Sequence, residues 1–355
     1  MARRLPRRAW IGVALSLALS IWFIRTGRWD VVYAELVGAR VSYVALASAM
    51  LVGEFVLRAM RWKVLLRPVD PEATVVDLFS ATVIGAAANT LLPARAGEVA
   101  KPLVASRRTH ASLPALIATN VMERVYDIFG LVSVLTATML LMPKSPADSS
   151  EDALLVYKLK LYGLIAGAGA LVAMAVFFWL ASRGAPARAV FARIVSIAPP
   201  PVAERFMHLF DGFVEGLGAT RDRRGMWQAG VLSLAIWFNG AAAIYVLFQA
   251  FRLTLPPAAA CFTGVAIAVA VVFPQAPGFF GVFHFAIEKT LVLWDVPVDP
   301  AKAFAVVFWG VSFLPVTAVG LLALWREGLS LGGLWSRDRE EPGSAGAAEE
   351  SLRES

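Results

Sequence analysis

Polar and apolar positions in this chain alternate on the scale of whole helices. Nine apolar stretches stand out, at 9–24, 42–57, 74–92, 113–142, 154–182, 226–251, 257–274, 280–294 and 301–325. A helix needs roughly 20 residues to cross a bilayer, with about 17–25 the normal range. Most of the stretches qualify; 280–294 is short, and 9–24 and 42–57 need their flanks. In hydrocarbon every backbone polar group must be satisfied internally, so the expected fold is an all-α polytopic membrane protein. About six stretches are expected to span fully.

Two pairs of stretches predict re-entrant helical hairpins. The first runs through 74–92, a break from Pro93 to Gly97, and a return over 98–108. Eleven helical residues rise only about 16 Å, too little for a core about 30 Å thick. The second runs through 257–274, a break from Pro274 to Gly281, and a return over 282–294. Pro93 and Gly97 align with Pro274 and Gly278, and each hairpin is followed by a proline-marked turn and a long apolar stretch. Two such units entering from opposite faces read as an inverted repeat, and interrupted helices at matching places point to a binding site. One integral membrane domain over 1–335 is expected, in halves of about 1–182 and 226–330. Amphipathic helices over 185–224 would join them on the cytoplasmic leaflet, where Phe206, Leu209, Phe210 and Phe213 keep helical spacing. The tail, 336–355, is rich in Glu, Ser, Gly and Ala and is expected to be disordered.

Composition agrees with the pattern. The chain is 58% hydrophobic and 17% charged, against about 45–50% and about 25% in soluble domains. Its net charge of +7 does not indicate nucleic acid, because the basic residues flank apolar stretches. Most of the 33 Lys and Arg fall inside if both termini are cytoplasmic. Arg58, Arg61, Lys63 and Arg67 then read mainly as a cytoplasmic anchor that could also attract an anionic headgroup, 101–112 falls inside, and Lys302 outside. Ile21-Trp-Phe-Ile-Arg25 offers no small-residue cleavage site, so the first stretch is expected to be a retained anchor. Cys261 stands alone, which excludes a disulfide framework.

Charge inside the apolar stretches carries the candidate chemistry. Such groups are expensive in hydrocarbon and persist where they pair or face a cavity. Arg95 and Glu98 follow Asn89 at the first break, and Arg95 offers a planar donor fork suited to phosphate or carboxylate. Asn120, Glu123 and Asp127 share one helix face at i, i+3, i+7, with Arg124 beside it. Two acids and one base leave a surplus negative charge, which Arg95 would neutralise. Glu54 is a further intramembrane acid. Gln275 and His284 lie at the second hairpin; Glu288 and Lys289 approach the outer surface and read as solvated. Three histidines and no nucleotide, zinc or nucleophile-elbow motif give no grounds for a cofactor, a metal or catalysis.

Leu92-Pro-Ala-Arg-Ala-Gly-Glu98, Arg107-Arg108 and Met122-Glu-Arg-Val-Tyr-Asp127 resemble the lysylphosphatidylglycerol synthase transmembrane-region family, also called flippase-like proteins. Arg58-Ala-Met-Arg-Trp-Lys-Val-Leu-Leu66 and Phe273-Pro-Gln-Ala-Pro-Gly-Phe-Phe-Gly-Val282 look like further motifs of that family. The resemblance covers about 10–330. It implies a bacterial inner-membrane protein that moves a lipid or lipid-linked anionic substrate across the bilayer. The family's aminoacyl-lipid synthase domain is not expected here. His284 stands where the family often has Glu, and Trp309 where it often has Arg. The implied partners are membrane lipids, with a lipid-modifying enzyme or a second copy of the chain as further candidates. A scaffold for such an enzyme and a membrane-embedded lipid transferase are the alternative functions.

Overall fold

A computed structural model describes residues 7–92, 95–141, 223–271 and 277–328, with isolated positions between 161 and 207. Apart from those positions, the expected helices over 154–182 and 185–224 and the tail lie outside the described residues, as do Pro93, Pro274 and Gln275. The described residues form ten α-helices and no strand. In chain order these are α1 (Arg7–Arg25), α2 (Trp29–Gly38), α3 (Val41–Leu66), α4 (Val75–Leu91), α5 (Gly97–Ala105), α6 (Leu113–Leu141), α7 (Arg223–Ala250), α8 (Pro257–Ala270), α9 (Val282–Val292) and α10 (Val298–Arg326). Four of them, α3, α6, α7 and α10, are long and apolar enough to cross a membrane.

Local chemistry sets several boundaries. Thr74 caps α4, its hydroxyl accepting from the Asp77 backbone N–H at 3.2 Å. The same helix stops at Leu91 because Leu92 precedes a proline and is extended, with φ −106° and ψ 149°. α8 starts at Pro257, whose missing N–H costs nothing in a first turn. α10 carries Asp299 in its first turn and Arg326 in its last, complementing the helix dipole at both ends.

α3 exceeds its expected length. The stretch 42–57 was bounded by Arg58, but the helix continues to Leu66 because Ala59, Trp62, Leu65 and Leu66 keep one face apolar and buried. This draws Arg58 and Arg61 into the bundle. Helix α2, inside the expected outer loop, packs on α10.

The packing is reciprocal. α3 lies along α7. α4 packs on α10, while α8 packs on α6. Each shorter helix after a break, α5 or α9, lies on the long helix that follows it, α6 or α10. One apolar cluster gathers Phe23, Phe248, Phe304 and Phe308 around α7, α9 and α10. Another joins Trp62, Leu78, Ile84, Val104 and Leu116 around α3 to α6. Small residues permit the closest approaches, as is usual between membrane helices. Ala258, Ala259 and Ala260 are buried on α8, and Gly320 lets α10 meet the α4 backbone at Val83.

Candidate functional site

Charges from three helices converge in the first half. Glu54, Arg58 and Arg61 come from α3; Glu98 and Lys101 from α5; Asn120, Glu123, Arg124 and Asp127 from α6. Arg61 is 1% exposed and sits at the focus. Its Nη1 lies 2.8 Å from Asp127 Oδ1 and donates to Ser233 Oγ on α7, also at 2.8 Å. Its Nη2 is 3.7 Å from Glu123. Lys101 Nζ donates to the other Glu123 oxygen and lies 4.2 Å from the Trp62 ring centroid. Trp62 is fixed in turn by its Nε1–H, which donates to Thr119 Oγ1 at 3.0 Å.

The chamber grades from closed to open. Arg58 pairs with Glu54 at 2.7 Å and reaches Asp127 at 3.8 Å. Arg124 bridges Asp127 at 3.0 Å and Glu98 at 3.3 Å. Glu98 also accepts from Asn120 Nδ2 at 3.4 Å. The Glu98 and Arg124 side chains are 32% and 49% exposed, whereas Glu123 is 2% exposed. Four cations, Arg58, Arg61, Lys101 and Arg124, thus meet four anions, Glu54, Glu98, Glu123 and Asp127. The Oδ1 atoms of Asn89 and Asn120 are buried with no hydrogen-bond partner. Asn89 faces Gly97, at the start of α5.

Glu98, Asn120, Glu123, Arg124 and Asp127 are therefore brought together as the sequence suggested. Arg95 is not their counter-ion. It is exposed, adopts φ 55°, and donates through Nη2 to the carbonyl of Val271 at the end of α8. The surplus negative charge is met instead by Arg58, Arg61 and Lys101. Arg61 is not a surface anchor for one reason: tertiary packing buries it, and Lys101 with it. The legible hint was the spacing Glu54, Arg58, Arg61, which keeps all three on one helical face.

The second half holds a different cluster. Lys302, expected outside, is fully buried and donates to Phe23 O at 2.8 Å and Thr26 Oγ1 at 2.6 Å. Glu288, expected to be solvated, is 1% exposed and 3.7 Å from Lys302. The expectation for Glu288 fails because α1 lies across α9 and covers it, together with Lys302. Lys289 remains half exposed. His284 is fully buried on α9. Trp309 donates its Nε1–H to Gly278 O at 2.7 Å, tying α10 to the second break. Among the described residues no group of His, Cys, Asp and Glu has a metal-binding arrangement.

These features define a multi-pass integral membrane protein with a buried ionic chamber. The chain belongs to the lysylphosphatidylglycerol synthase transmembrane-region family, whose model matches residues 9–320. It is 25% identical to Glycosyltransferase AglD of Haloferax volcanii over 82% of this chain and 49% of that protein. The chain thus spans about half the length of that relative. Two UPF0104 membrane proteins are similar over nearly their whole lengths. One, from Methanothermobacter thermautotrophicus, is 24% identical over 88% of this chain and 90% of its own. The other, from Methanocaldococcus jannaschii, is 22% identical over 67% and 92%. No solved structure matches.

Proposed function

We propose that the protein translocates a lipid or lipid-linked anionic substrate across a bacterial inner membrane. In this reading both termini are cytoplasmic, about six helices span, and α4–α5 and α8–α9 are re-entrant hairpins of an inverted repeat. The reciprocal packing, α4 on α10 and α8 on α6, supports the repeat. One observation carries the function. The two interrupted helices meet at their breaks: Arg95 bonds Val271, and α4 packs on the turn Pro277–Phe279. An exposed guanidinium held by a single carbonyl is poised to exchange that acceptor for a phosphate, which it binds bidentately and with full charge. Arg124 and Glu98, the latter three residues after Arg95, stand on the more exposed side of the charge cluster, with Asn120 bonded to Glu98 beneath them. The similarity to a protein named as a glycosyltransferase favours a substrate whose head carries a sugar.

The test is reconstitution in liposomes with a panel of fluorescent lipids, including polyprenyl phosphates with and without a sugar. Arg95→Ala should lower translocation of the accepted lipid at least tenfold, and Arg95→Lys should retain part of the rate. Membrane insertion and stability should be unchanged, because Arg95 belongs to no buried pair. Undiminished translocation by Arg95→Ala would overturn the assignment. A second reading, a scaffold for a lipid-modifying enzyme, draws on the balanced charges of the chamber. Co-purification with such an enzyme and complementation by Arg95→Ala would favour it.

A further inference from the structure

Among the described residues of the first-half chamber, each charged group has a counter-charge. The second half differs. His284 is 0% exposed, and neither Nδ1 nor Nε2 has a hydrogen-bond partner. A neutral imidazole carries one donor and one acceptor, so both go unmet in an apolar site, a costly arrangement. Its neighbours are aromatic. Phe280 lies 4.2 Å away between ring centroids, Phe23 4.9 Å and Trp309 6.0 Å. Such ring faces attract a cation more than they attract a neutral ring.

One helical turn along the same face of α9 stands Glu288, 1% exposed. Its Oε2 has no hydrogen-bond donor and faces Lys302 at 3.7 Å. Lys302 is itself held by Phe23 O and Thr26 Oγ1. Among the described residues, the other charges near this column are paired. Lys289, on α9, lies 3.4 Å from Glu288 Oε1 and is half exposed. Asp299, at the start of α10, pairs with Arg28 at 3.0 Å. α8 contributes no charged side chain, α1 contributes Trp22 and Phe23, and the turn after it contributes Thr26.

We propose that His284 and Glu288 form a proton-binding site, separate from the charged chamber, that couples the second hairpin to proton uptake. The proton passes from water to an imidazole nitrogen, leaving a cation that the aromatic rings and the Glu288 carboxylate stabilise. His284 occupies the first turn of α9, where the helix dipole opposes a positive charge. Loading therefore favours a displaced turn, with the ring drawn toward Glu288. The turn has little room to yield piecemeal. Gly281, at φ 87°, is pressed against Ser16 and Ser20 of α1, so the short turn 277–281 shifts together with the start of α9.

The test measures no lipid translocation, so its outcome is independent of which substrate the first hairpin handles. The chain has three histidines, His110, His208 and His284. With the first two replaced by Gln, ¹⁵N-histidine NMR in nanodiscs follows His284 alone. The ring-nitrogen shifts should titrate with pH. Glu288→Gln should lower the midpoint by about one unit or more, since an anion that favours imidazolium is lost. Hydrogen exchange across 277–285, corrected for intrinsic rates, should rise as His284 protonates. In His284→Phe, whose ring refills the box, that rise should vanish. Should Glu288→Gln fail to insert, the native titration and the His284→Phe comparison suffice. A pH-invariant imidazole, or identical exchange profiles in native protein and His284→Phe, would overturn the proposal.

Discussion

Arg61→Leu should destabilise the protein by about 3–5 kcal/mol, the usual cost of removing one partner from a buried ion pair. The substitution strips Asp127 of its 2.8 Å partner and leaves Glu123 with Lys101 alone. Ser233 loses its donor as well. Arg61→Lys should recover little, because one ammonium cannot reproduce a fork that reaches two carboxylates and a hydroxyl. Removing cation and anion together is milder. Arg61→Leu with Asp127→Leu should regain a large part of the loss, since no lone charge then stays buried. Denaturant unfolding in detergent micelles reads all three variants. A loss under about 1 kcal/mol for Arg61→Leu would mean that the chamber tolerates a surplus negative charge, three cations then facing four anions, contrary to its burial.

Gly97→Ala should be damaging for a purely steric reason. A Cβ at Gly97 would overlap the backbone carbonyl of Gly85, and Asn89 Cγ would stand only 2.6 Å away. A side chain can swing aside, but a helix backbone cannot without losing its own bonds. The expected cost is about 3 kcal/mol, the upper part of the overpacking range. α4 and α5 would be forced apart, and with them Arg95, Glu98 and Lys101. Gly53→Ala is the matched control on α3, where an added Cβ meets nothing within 4 Å. It should be neutral, or stabilising by roughly 0.5–1 kcal/mol through helix propensity. Equal stability of the two variants, measured side by side, would refute the close contact of the hairpin.

Much of the scaffold is written in short stretches of the sequence. The breaks after 74–92 and after 257–274 were legible because proline and glycine act on their own backbone, without reference to distant residues. The i, i+3, i+7 spacing of Asn120, Glu123 and Asp127 was legible because helix geometry is local. Arg61 and Lys101 were misread for the converse reason. Positive-inside reasoning assigns Lys and Arg to the membrane surface unless something buries them, and that something is a neighbouring helix. Glu288 was misread as solvated in the same way, since the helix that covers it and Lys302 lies more than 250 residues earlier in the sequence.

By itself the sequence determined the class of protein, the helical content and the two interruptions. Each follows from apolar length and backbone chemistry confined to short windows. Only the tertiary structure decided which charges pair, that Arg95 reaches across to Val271 rather than to Glu123, and that His284 lies among aromatic rings. Ion pairing falls off within a few ångströms, and those distances are set by helix packing rather than by spacing along the chain.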